Sequence, residues 1–176
     1  KARDRLKNNL LVTTVMSNLG LREACRTFDM VHHASGVGDR NVLEDMQRLG
    51  GVLGGEDSGH MIFLKHHTTG DGTLSALQLV ATMLKSGRPL SELATVMAIF
   101  PQKLINIDVT SKPPVEHIAG LTDAIARVES ELEGRGRVLV RYSGTQNMCR
   151  VMVEGPSEDV TDRYAEQIAD VVRAAI

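Results

Sequence analysis

"VLVRYSGTQNMCRVMVEG", running from Val138 to Gly155, sets two apolar, alternating stretches on either side of a polar knot. Apolar residues at every second position fit strands buried on one face. Ser143, Gly144 and Thr145 between them are residue types that turns favour, so the stretch reads as a β-hairpin. On the outgoing strand Arg137, Leu139 and Arg141 share one face, and Val138 and Val140 the other. On the returning strand Arg150, Met152 and Glu154 alternate against Val151 and Val153. Arginines therefore flank a turn that carries two hydroxyls and a glycine, whose missing Cβ lets backbone amides approach an anion. Guanidinium groups bind phosphate oxygens in bidentate, charge-assisted fashion. The residues alone admit two readings, an anion cradle and an ordinary turn with solvated arginines.

Around the hairpin lie a strand over 104–109, a Lys-Pro-Pro turn, a helix ending at Leu132, and a closing helix from about Ser157. This order suggests a small α+β domain, with a four-stranded, mostly antiparallel sheet and two helices. Upstream of Phe100-Pro101 the rhythm differs, because strands alternate with helices. Leu10 to Val15 reads as a buried strand, followed by a helix capped by Ser17 or Asn18 and a weaker strand at "DMVHH". A helix with Val42, Leu43, Met46 and Leu49 on one face ends at Gly50-Gly51. "GVLGG" and "HMIFL" are short strands. A helix over 73–85 carries Leu74, Leu77, Ala81 and Leu84, and another begins at Pro89 with Leu90, Leu93, Ala94 and Met97 on its stripe. The fold class is thus α/β, a mixed-sheet layer domain over 8–102 followed by the small domain over 103–176, with 1–7 left over.

Composition narrows the partners. A net charge of −2, no Trp and few other aromatics argue against nucleic acid, which calls for a basic surplus and stacking residues. The longest apolar stretch, 74–84, is broken by Ser75, Gln78 and Thr82, so no membrane span is expected. Cys25 and Cys149 stand far apart, as free thiols of a reducing, cytoplasmic compartment would.

Two further loops carry polar groups. In "GGEDSGH", Gly54 to His60, the residues Glu56, Asp57, Ser58 and His60 crowd between two strands. A carboxylate beside a hydroxyl and an imidazole suits polyol recognition, and a polar hairpin tip is the plainer reading. His66, His67 and Asp71 follow at a spacing that matches no zinc pattern, so no metal site is expected. "SGVGDR", Ser35 to Arg40, holds a lone G-x-G before a helix; it reads as a helix entry turn whose amides can also meet an anion.

"VMSNLGL", "VGDR", "GGEDSGH", "HHTTGDGTLSALQL" and "RYSGTQNMCRVMVEG" occur in that order, and together they resemble the α-D-phosphohexomutases over nearly the whole chain. "MSNLGL" and "TTGDG" are similar to the branch that acts on glucosamine phosphates. The resemblance implies four domains, of which this chain holds the third and the C-terminal one, with 1–7 as the tail of the second. It implies interconversion of glucosamine 6-phosphate and glucosamine 1-phosphate through a phosphoserine and a 1,6-bisphosphate intermediate. The donor serine and the Asp-rich magnesium loop would belong to the N-terminal domains, and this chain alone would be inactive. By resemblance Glu56 and Ser58 hold sugar hydroxyls, and His60 lies near the reacting end as the catalytic candidate. Arg141, Ser143, Gly144, Thr145 and Arg150 would hold the phosphate that is not transferred. Relatives usually read Ser-Gly-Thr-Glu-Pro where this chain has Gln146 and Asn147. Many carry Lys where Gly36 stands, which leaves the acid/base role to His60 or to the N-terminal domains. A phosphomannomutase or phosphoglucomutase, and a non-catalytic phosphosugar-binding module, are the alternatives.

Overall fold

The computed structural model describes residues 6–176, and these divide into two compact units, one ending at Ala98 and the other spanning Ile99–Ile176. Most of the 1–7 segment therefore lies outside the described residues.

The first unit is built on β1 (Leu10–Thr14), α1 (Leu19–Thr27), β2 (Val31–Ser35), α2 (Asp39–Leu49), β3 (Leu53–Gly55) and β4 (Met61–Phe63). Its sheet has the order β2-β1-β3-β4, parallel except for the antiparallel β3–β4 pair. Asn18 caps α1 by accepting from the Gly20 amide, as its short polar side chain favours. Leu10, Val12, Val42, Met46 and Ile62 form the core. Gly54 sits where α2 crosses the sheet, and a Cβ there would lie 2.5 Å from Met46 Sδ and 2.8 Å from Val12 O. Asp45 of α2 fastens the helix to β2, accepting from Ser35 Oγ at 2.5 Å and pairing with His33 Nε2 at 2.9 Å.

α3 (Gly72–Ser86) follows, capped by Asp71 and stopped by Gly87 in the left-handed region. α4 spans only Leu90–Leu93 and passes into a 3-10 turn at Ala94–Val96. The sequence stripe through Met97 predicts a longer helix. Met97 is instead extended (φ −137, ψ 146), and Thr95 Oγ1 donates back to Glu92 O, a local bond that competes with helix continuation.

The second unit holds β5 (Gln102–Asp108), α5 (Leu121–Leu132), β6 (Arg137–Tyr142), β7 (Met148–Glu154) and α6 (Glu158–Ala175). Its sheet has three strands, β5-β7-β6, all antiparallel, where the sequence reading expects four. Between β5 and α5 the chain offers no fourth strand, since Pro113 and Pro114 lack ladder donors and Val115–His117 closes into a 3-10 turn. The core runs from Ile107, Cys149, Val151 and Val153 on the sheet to Val128 and Leu132 of α5 and Tyr164, Ile168 and Val172 of α6.

Candidate functional site

In the second unit the hairpin forms as read, and its ladder sets the arginines. Arg141 of β6 and Arg150 of β7 are directly opposite one another. Like charges facing across a strand pair repel, and among the described residues no carboxylate is bonded to either. Arg141 donates to the Tyr142 carbonyl at 3.3 Å and Arg150 to Gln146 Oε1 at 3.1 Å. The Nε atoms of both are buried without a hydrogen-bond partner, a costly state for a donor. Burial, and then the Arg150 charge, lower the pKa of Arg141. An anion between the two guanidiniums would relieve the repulsion.

Arg137 shares this face in sequence and is not part of the pair. It donates to Glu154, which is fully buried, so its charge is neutralised within the sheet.

The turn itself is closed by Ser143, whose amide donates to Met148 O at 2.9 Å and whose Oγ accepts from the Gln146 amide at 3.2 Å. Ser143 is buried, whereas Gly144 and Thr145 are exposed. Lys112, from the Lys-Pro-Pro turn, reaches this loop: its Nζ donates to Ser143 O at 2.9 Å and to Gln146 O at 2.8 Å. Sequence reasoning missed that contact, because 31 positions separate Lys112 from Ser143 and only the β5–β7 ladder brings them together.

In the first unit Glu56 to His60 joins β3 to β4 at the C-terminal end of β3. Open parallel sheets bind ligands outside the carboxyl ends of their strands, at the point where strand order reverses. With the order β2-β1-β3, that point lies between β1 and β3, and a depression of about 180 Å³ there is lined by Thr13, Ser17, Gly55, Glu56 and Asp57, among others. Glu56 Oε1 accepts from the Gly38 amide at 2.8 Å, which ties this loop to the entry of α2. Gly38 has φ +120, a backbone state closed to most side chains. The two glycine-bearing loops of the sequence thus meet. Ser58 Oγ and His60 Nδ1 are 2.9 Å apart, and both residues are exposed. Oε2 of Glu56 and Nε2 of His60 carry no hydrogen bond among those described.

Among the described residues no group of three or more His, Cys, Asp or Glu is placed to hold a metal ion; the sequence reading places the magnesium on domains outside this chain. No helix among them is long and apolar enough to cross a membrane.

Comparison with known proteins agrees with this architecture. Residues 1–100 match the family described as phosphoglucomutase/phosphomannomutase, alpha/beta/alpha domain III, and residues 104–171 match its C-terminal domain. A phosphoglucosamine mutase of Syntrophobacter fumaroxidans is 67% identical over all of this chain and 39% of its own length. One of Syntrophus aciditrophicus is 56% identical over 98% of this chain and 38% of its own length. The chain therefore spans about two fifths of these relatives. In structure it resembles an Aspergillus fumigatus N-acetylphosphoglucosamine mutase, solved with GlcNAc-6P and magnesium. That likeness has a TM-score of 0.81 at 18% identity, covers 94% of this chain and 42% of the other, and concerns the fold alone. With the two matches covering both units, the chain belongs to the phosphoglucomutase/phosphomannomutase family.

Proposed function

We propose that this chain is the substrate-holding, C-terminal portion of a phosphoglucosamine mutase. The whole enzyme interconverts glucosamine 6-phosphate and glucosamine 1-phosphate through a phosphoserine and a bisphosphate intermediate. In this reading residues 8–102 supply the sugar loop, and 103–176 the clamp for the phosphate that stays in place. Glu56 Oε2 accepts from sugar hydroxyls, Ser58 Oγ accepts from or donates to them, and His60 stands near the end that reacts. The donor serine and magnesium come from domains outside this chain, and the group transfer itself belongs to them.

The observation that carries the reading is the Arg141–Arg150 pair, two opposed guanidiniums with buried, unpartnered Nε atoms and, among the described residues, no carboxylate bonded to either. A neutral sugar needs no such charge. A phosphate accepts from both, and each charge-assisted bond contributes roughly 1.5–3 kcal/mol net. Titrating the chain with glucosamine 6-phosphate by NMR or calorimetry tests this. Arg141→Ala should lose about one to two orders of magnitude in affinity. Equal binding by the variant and its parent makes the hairpin an ordinary turn.

The chain by itself should also give no turnover in a coupled assay primed with glucose 1,6-bisphosphate. Positioning accelerates nothing without the reacting group.

A further inference from the structure

The hairpin turn carries three backbone amides, Gly144, Thr145 and Asn147, to which no described group is hydrogen-bonded. Ser143 and Gln146 donate theirs to Met148 O and Ser143 Oγ. Which way the free amides point depends on the peptide planes that contain them. In a trans peptide the C=O of one residue and the N–H of the next are antiparallel. Fixing the Ser143 carbonyl therefore fixes the Gly144 N–H, and fixing the Gln146 carbonyl fixes that of Asn147. Those two carbonyls are the ones that Lys112 Nζ holds, at 2.9 and 2.8 Å.

We infer that Lys112 is the positioning residue of the anion loop: by drawing both carbonyls to one ammonium it turns the Gly144 and Asn147 amides away from itself and holds them ready to donate to phosphate. This rests on the clamp reading above and adds to it Lys112 and the Asn147 amide, neither of which the loop sequence reveals.

Three features support the assignment. An ammonium has three donors, and two are committed to carbonyls of the same four-residue turn. Its backbone is restrained as well, since Pro113 disfavours the helical region for the residue before it, and the Val109 amide donates to Asn147 O at 3.0 Å, anchoring the segment three positions upstream. Finally, an exposed lysine loses rotamer entropy when held in one geometry, and two charge-assisted bonds to carbonyls offset that loss. A mere staple for the hairpin would use the same contacts, so the test must separate stability from anion binding.

The experiment compares Lys112→Met, Lys112→Arg and Arg141→Ala with the parent chain, using inorganic phosphate as the probe and amide NMR as the readout. Lys112→Met should weaken phosphate binding about tenfold, and part of the loss should persist at high salt, where a purely long-range charge effect is screened. In the ligand-free protein the order parameters of Gly144 and Asn147 should fall, and Lys112→Arg should restore most of both readouts. If Lys112→Met binds phosphate as the parent does while Arg141→Ala does not, the inference is overturned and the clamp stands. If both variants bind like the parent, the clamp is overturned, and Lys112 positions nothing for an anion. A Lys112→Met chain with a lowered melting temperature but parental affinity would identify a staple and likewise overturn the inference.

Discussion

α6 buries Thr161, Tyr164, Ala165, Ile168, Ala169 and Val172, whereas α3, with Leu77, Leu79, Val80 and Leu84 along its length, buries no residue. Both helices carry an apolar stripe in sequence, and both are capped by a side chain that accepts from an amide three positions on, Ser157 and Asp71. The sheets beneath them differ. β5, β6 and β7 have seven, six and seven residues, long enough to accept helices over their whole length. β3 and β4 have three each. Periodicity shows which residues share a face, and the extent of the neighbouring sheet decides whether that face finds cover. The two loops follow the same division. The arginines of the hairpin are placed by a continuous ladder, while the side chains of Glu56 and Ser58 each make one described bond, to Gly38 and His60.

The largest effect separating the two helices should come from Ile168→Ala. Ile168 is fully buried in the second unit's core, and truncating such a residue costs about 2–5 kcal/mol. Urea denaturation followed by a probe in the second unit measures it. A loss below about 1 kcal/mol would mean that α6 packs as loosely as α3.

A smaller effect should separate this loop from the family pattern. Gln146 Oε1 accepts from Arg150. Gln146→Glu, the residue the family resemblance implies here, puts a carboxylate in that place, and the pair it forms with Arg150 competes with phosphate. Exposed pairs of this kind contribute up to about 1 kcal/mol, so affinity for phosphate should fall a few-fold. An unchanged or tighter affinity would show that Arg150 does not bear on the anion.

How much of this was legible in the sequence follows the same physics. The hairpin, the arginines that flank its turn and the start of the closing helix near Ser157 are readable because alternation and turn chemistry are local. Glu56 and His60 could be singled out as a polar loop, but the bond from Gly38 to Glu56 could not, since parallel pairing through β1 brings those loops together. Lys112 was invisible for a similar reason. Arg137 looked like Arg141 on the strand, and only the register opposite Glu154 sets it apart. The apolar pattern suggests a fourth strand and a longer α4, and proline and a back-bonding threonine overrule it.

A pH scan sharpens the contrast within the first unit. Ser35, then Arg48 and His33, hold the Asp45 carboxyl well below the usual carboxylate range. A folded-state pKa below the unfolded one contributes stability that is complete above the unfolded value, near pH 4, and is lost as the pH falls past it. Asp45→Asn removes that contribution. Its denaturation midpoint should lie below the parent's at pH 7, and the gap should narrow below about pH 4. A constant gap at every pH would mean that the carboxyl is not the group that responds.

The smallest effect should come from α3. Leu84 is 79% exposed, so Leu84→Ala removes little apolar area from any core, and Ala is at least as good a helix former. Exposed substitutions away from special features fall within about 0.5 kcal/mol. The same urea experiment used for Ile168→Ala measures it, now followed by a probe in the first unit. A null result places α3 outside the cooperative core of that unit and leaves the contrast with α6 intact. A loss above 1 kcal/mol, of the kind that cavities produce, would break it. Leu84 would then be covered in solution, and the apolar stripe of α3 would have a packing partner as definite as the one beneath α6.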